Sequence, residues 1–184
     1  MTIKEIYNSV ARYDITADVQ EIPFEFDYNL LLKEMLDFIE SNNYGHFVTS
    51  LKLDHETTDL TKFNQITEVL QFNAKGTANW YYANTNIIDD GDNNDFTYWH
   101  PDLANSYVRT IADRIESQTG FKIGRIRLGW LLPDTGYSMH ADTEALRFHM
   151  PLITNDWAYF LINNQIHSMD KGKLYHLQTT EHHS

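Results

Sequence analysis

The sequence predicts an α+β domain whose second half is a β-sandwich or jelly roll. Three observations carry this. Apolar residues recur at helical spacing in parts of the first 120 residues. After Gly120 the pattern changes to short alternating segments divided by turn residues. Ten Phe, eleven Tyr and four Trp weight the chain toward strand formers. Helices followed by a run of short strands fit one α+β domain over residues 1–184, with a helix-rich part at 1–120 and a β core at 121–184.

The elements follow in order. Residues 28–41 read as a helix, with Leu31, Leu32, Met35, Phe38 and Ile39 close to one face. Phe47, Leu51 and Leu53 sit at even spacing, as in a strand. A second helix is predicted from Asp59 to Leu70, on the stripe Leu60, Phe63, Ile66, Val69. Residues 78–88 form a strand and 89–95 a loop. His100-Pro101-Asp102 opens a third helix that runs to about Ser117, with Pro in the first turn and Thr119-Gly120 as the stop. Strands follow at 121–132, 145–153, 157–162 and 173–178. Asn163-Asn164 turns a hairpin whose returning arm is 165–169. Residues 133–136 and 170–172 are turns.

The net charge of −12 argues against a nucleic-acid binder, which needs a basic face for phosphates, and against an anionic membrane surface. There are no cysteines, which removes disulfide scaffolds, thiolate metal sites and Cys catalysis. A metal must then be held by His and carboxylates, a set that suits iron, manganese or zinc. The N-terminus has no apolar signal region and no run approaches a membrane span, so the expectation is a soluble cytoplasmic protein.

His-x-Asp occurs twice, at His100-Pro101-Asp102 and His140-Ala141-Asp142, where chance predicts about one in a chain with nine His. The first is explained as a helix start. The second lies between strand-like segments, and residues i and i+2 of a strand share a face. An imidazole and a carboxylate side by side, with a third ligand from a neighbouring strand, make a facial triad with open positions, the arrangement of iron(II) oxygen chemistry. His182 and His183 lie several strands further on, within reach of the same mouth of a jelly roll.

Residues 123–184 resemble the catalytic core of the aspartyl/asparaginyl β-hydroxylase family, which includes hydroxylases of free proline. The resemblance rests on an ordered set: Arg125 and Arg127, Pro133-Asp134, His140-Ala141-Asp142, Arg147-Phe148-His149-Met150-Pro151-Leu152, Thr154-Asn155, Gly172-Lys173 with Tyr175, and His183-Ser184. It implies a double-stranded β-helix (jelly-roll, cupin-like) core with N-terminal and flanking helices. It implies iron(II) and 2-oxoglutarate as cofactors, with hydroxylation of an amino-acid side chain in a small-molecule or peptide substrate. His140, Asp142 and His183 match the iron ligands, and Arg147 and His149 the strand that contacts 2-oxoglutarate. Asp134 replaces a usual Gly and Lys173 a usual Glu. The family continues into a further strand with a second Arg for 2-oxoglutarate, which nothing here matches. Either the sequence is a truncated form whose core lacks its last strand or strands, or Arg147 serves alone. The alternatives are a non-catalytic jelly-roll binding module and a cupin-type metalloenzyme of different chemistry.

Other features read as structural. Asp90-x-Asp92-x-Asn94 lacks the Gly and Glu of a calcium loop and is a solvated acidic loop. Trp80, Tyr81, Tyr82 and Trp130 are core aromatics. His167 and His176 are structural or surface residues, and His46 and His55 carry no signal. Ser138 lacks the surroundings of a nucleophile.

Overall fold

The computed structural model describes residues 3–41, 67–74, 81–82, 84–85, 98–99, 102–124, 126–131, 138–142 and 146–184. Among them are helices α1 (Ile3–Val10), α2 (Tyr28–Ser41) and α3 (Tyr107–Thr119). The strands are β1 (Val19–Ile22), β2 (Thr67–Ala74), β3 (Tyr81–Tyr82), β4 (Asn84–Thr85), β5 (Tyr98–Trp99), β6 (Ile126–Leu131), β7 (Leu146–Ile153), β8 (Phe160–Ile162), β9 (Gln165–His167) and β10 (Leu174–Gln178). This is the mixed helix and antiparallel-sheet architecture expected. Among the described residues no helix is long and apolar enough to cross a membrane.

Six strands form one antiparallel sheet in the order β1-β10-β7-β2-β6-β3. Inside it, β7 shows how the sequence sorts core from site. Its residues alternate across the sheet. Leu146, Phe148, Met150 and Leu152, each with no exposed surface, join the core that the helices cover. Arg147 and His149 therefore take the opposite face. The helices supply the matching stripes: Leu31, Met35 and Phe38 from α2, and Val108, Ile111, Ala112 and Ile115 from α3. The helix predicted at 28–41 has the bounds of α2.

Two expectations need correction. Helix α3 begins at Tyr107, not at His100, and Asp102–Ala104 lie in turns. Ser106 is extended, and its Oγ donates to Leu103 O (2.8 Å) instead of capping the helix. The free N–H groups of the first turn find another acceptor: Tyr107 N–H (2.8 Å) and Val108 N–H (3.3 Å) donate to the Glu34 carboxylate of α2. A carboxylate there also complements the helix dipole. The predicted helix at 59–70 also ends wrongly, because Thr67 opens β2. That strand lies between β6 and β7, with Val69 paired to Gly129 on one side and Pro151 on the other. Ladder hydrogen bonds on both edges override a local helical period. The predictions at 47–53, 59–66, 89–95 and 133–136, and His46, His55, Trp80, His100 and Pro101, lie outside the described residues.

Gly120 ends α3 as predicted, with φ at 84° and its N–H donating to Glu116 O (3.0 Å). A Cβ there would lie 2.5 Å from Val10 O, a backbone atom. Gly120→Ala is expected to destabilise the protein by roughly 1 kcal/mol or more, read as a lower urea midpoint.

His176 on β10 pairs with Phe148, on the helix side of the sheet, and is fully buried. Its Nδ1 and the Tyr13 hydroxyl share a 2.8 Å hydrogen bond. Burial lowers its pKa from 6.5 to about 4. Between those values the unfolded chain takes up a proton that the folded protein refuses, so stability falls as pH drops from 6.5 to 4 and is complete above 6.5. Chemical denaturation of wild type and His176→Gln across that window should show a pH-dependent difference of roughly 3 kcal/mol. Parallel profiles would refute this.

A second, narrower layer carries the rest. Strands β8 and β9 form a hairpin through Asn163 (φ 48°) and Asn164 (φ 61°), two left-handed residues as a type I′ turn requires. The last residues run along β8: Leu161 N–H donates to Ser184 O (3.0 Å), Ser184 N–H to Leu161 O (2.9 Å) and Asn163 N–H to His182 O (2.9 Å). His140 pairs on the other side of that segment.

Candidate metal centre

His140 and His183 are register partners. His140 N–H donates to His183 O (2.9 Å), and His183 N–H to His140 O (2.7 Å). Residues that exchange both bonds project their side chains on one face. The two rings accordingly lie 4.3 Å apart, centroid to centroid. Asp142, two residues on from His140, is held by its N–H to Thr179 O (2.9 Å). Its Oδ2 lies 3.6 Å from His183 Nε2. One donor atom from each of His140, Asp142 and His183 falls within 4.8 Å of the others, and among the described residues these three form the group that can hold a metal ion.

The tautomers suit that role. His140 Nδ1 donates to Ser138 O (2.7 Å), and His183 Nδ1 donates to Glu181 O (2.8 Å). A carbonyl only accepts, so each Nδ1 carries a proton, and either ring in its neutral form keeps a lone pair on Nε2. This is the outer bond that orients metal-binding imidazoles generally. His183 Nε2 is buried with no hydrogen-bond partner among the described residues. Burial, foremost, holds His183 below the usual imidazole pKa, against the raising effect of the Glu181 carbonyl. That favours the neutral form a ligand needs. The 3.6 Å separation lies within what two donors about 2.0–2.2 Å from one ion can span.

The wall behind the cluster comes from the broad sheet. The Arg147 guanidinium pairs with Asp142 Oδ2. His149 is 5% exposed, and neither ring nitrogen has a hydrogen-bond partner among the described residues. Burial and then the charges of Arg147, Arg127 and His183 push its pKa well below 6.5, so it is neutral. Arg127, 2% exposed, lies on the same face, since Gln71 of β2 pairs with both Arg127 and His149. Phe160 bridges the layers, stacked on His183 (5.6 Å, 26°) and edge-on to His149 (5.9 Å).

All five residues predicted from sequence thus converge, and His183 is secured by strand pairing with His140. Arg127 was visible in the sequence only as part of an Arg-containing strand, and Arg125 lies outside the described residues. Phe160 gave no signal, because its position depends on how the hairpin sits on the sheet.

The model of the aspartyl/asparaginyl beta-hydroxylase family matches residues 55–184. The chain belongs to this hydroxylase family. No curated protein and no solved structure matches it. The hydroxylase-family match contains the whole cluster and the wall behind it, and leaves out α1, β1 and α2. Those outer elements still pair with the matched part: β1 pairs with β10, and Glu34 caps α3.

Proposed function

We propose that the protein is an iron(II)- and 2-oxoglutarate-dependent hydroxylase of an amino-acid side chain, built on a jelly-roll core. The substrate is Asp or Asn in a peptide, or a free amino acid such as proline. The observation that carries this is the His140-Asp142-His183 cluster, with both Nε2 atoms freed by Nδ1 bonds to backbone carbonyls. Two imidazoles and one carboxylate on one face leave coordination positions open for a cosubstrate and oxygen. We assign these three as the iron ligands, and Arg147, His149 and Arg127 as the residues facing 2-oxoglutarate.

When bound, iron(II) supplies the oxidising chemistry by which a C–H bond becomes C–OH while oxygen and 2-oxoglutarate yield succinate and carbon dioxide. The protein's part is placement. The Ser138 and Glu181 carbonyls fix two rings. Arg147 steadies the Asp142 carboxylate from outside the cluster, and its guanidinium geometry suits a cosubstrate carboxylate as well. Neutral His149 offers a donor without a further charge. Phe160 keeps water from one flank of His183. The net charge of −12 supports a small-molecule or peptide substrate over nucleic acid, and we take the protein to act in the cytoplasm.

The test is succinate formation by purified protein with iron(II), ascorbate, 2-oxoglutarate and a panel of amino acids and Asp/Asn peptides. Substrate-dependent succinate, lost in His140→Ala, is the expected result. A signal no greater than that of the variant on every substrate would overturn the reading.

A further inference from the structure

The β8–β9 hairpin turns one face to the candidate metal centre and the other to solvent. Ile166 (69% exposed) and Tyr159 (61% exposed) mark the outer face. Phe160 marks the inner one, through its contacts with His183 and His149. The register partner of Phe160 is His167. Directly paired residues of an antiparallel ladder share a face, with Cβ atoms about 4.5–5.5 Å apart. His167 is therefore on the inner face beside Phe160. Its Nε2 is buried and has no hydrogen-bond partner among the described residues.

Two imidazoles, one from each layer, thus flank Phe160. His149 contributes two unsatisfied buried nitrogens and His167 one. Buried polar atoms are ordinarily satisfied by protein, water or ligand. The electrostatics favour an anion, because Arg147 and Arg127 both bear on His149. A neutral imidazole can donate N–H to a carboxylate oxygen without adding to the positive charge.

We propose that His167 is a ligand-recognition residue of this site and that, with His149, it forms a two-imidazole subsite for a carboxylate group. The inference rests on the hydroxylase reading above. The carboxylate has two sources, the cosubstrate and an amino-acid substrate, and the experiment separates them.

Cobalt(II)-loaded wild type, His167→Phe and His167→Gln are titrated calorimetrically with 2-oxoglutarate. Each is then saturated with 2-oxoglutarate and titrated with aspartate and with proline. Cobalt affinity is measured first, and His167→Phe should stay within about threefold of wild type because no metal ligand is removed. Loss of a hydrogen bond to a charged group weakens binding roughly tenfold or more. Such a loss in His167→Phe, with recovery in His167→Gln, which keeps an N–H donor, is the expected result. Loss in the first titration assigns the carboxylate to the cosubstrate, and in the second to the substrate. Wild-type binding that both variants retain unchanged overturns the inference alone. A wild type that binds neither cobalt(II) nor 2-oxoglutarate overturns the hydroxylase reading and this inference together.

Discussion

Replacing His183 by alanine is expected to abolish metal binding at the cluster while leaving the fold in place. His183 supplies the Nε2 that is buried, without a hydrogen-bond partner among the described residues and 3.6 Å from Asp142 Oδ2. Losing a ligand should cost more affinity than the ~10–100-fold typical of losing an outer partner. The backbone pairing that places residue 183 survives the change, because it runs through N–H and C=O groups to His140 and to β8. Metal that binds only the folded state raises its stability by mass action. The wild-type melting temperature should therefore climb with added cobalt(II) or manganese(II), and that of His183→Ala should not. An equal rise in both proteins would remove His183 from the ligand set.

Phe148→Ala is expected to do the reverse. Phe148 has no exposed surface, packs 6.1 Å from the Phe121 ring and 6.0 Å from His176, and lies within the core covered by the helices. Truncating a buried Phe costs about 3–5 kcal/mol through lost burial and the cavity left behind. For a chain of this size that lowers the melting temperature on the order of 10 °C. Its neighbours Arg147 and His149 face the other side of the sheet, so the metal affinity of the folded fraction should hold. A variant that melts like wild type would contradict the two-faced reading of β7. One that folds but loses metal would contradict it too.

Much of this was legible in the residues themselves. The stripe Leu31, Met35, Phe38 could belong only to a helix with one buried face, and α2 has the predicted bounds. In the Arg147–Leu152 segment polar and apolar residues alternate up to Pro151, so once it is a strand, core and site must separate. His140 and Asp142, spaced i and i+2, meet at one cluster. The failures have a common cause. Helix α3 starts late because a carboxylate from α2, more than seventy residues earlier, caps it. Thr67–Leu70 is strand because two partners claim its edges. Four-residue β1 carried too little pattern to be seen, and it exists by pairing with β10.

The sequence by itself determined the mixed α+β class, the family pattern and which side chains can hold a metal, because these follow from residue type and local period. Tertiary structure alone decided the rest. It made His183 a fixed partner of His140 through strand pairing. It set Arg147 against Asp142, placed Arg127 in the row of His149, and turned His167 inward beside Phe160. Each of these depends on which strand lies next to which, and that is fixed by burying two sheet faces at once rather than by any one segment.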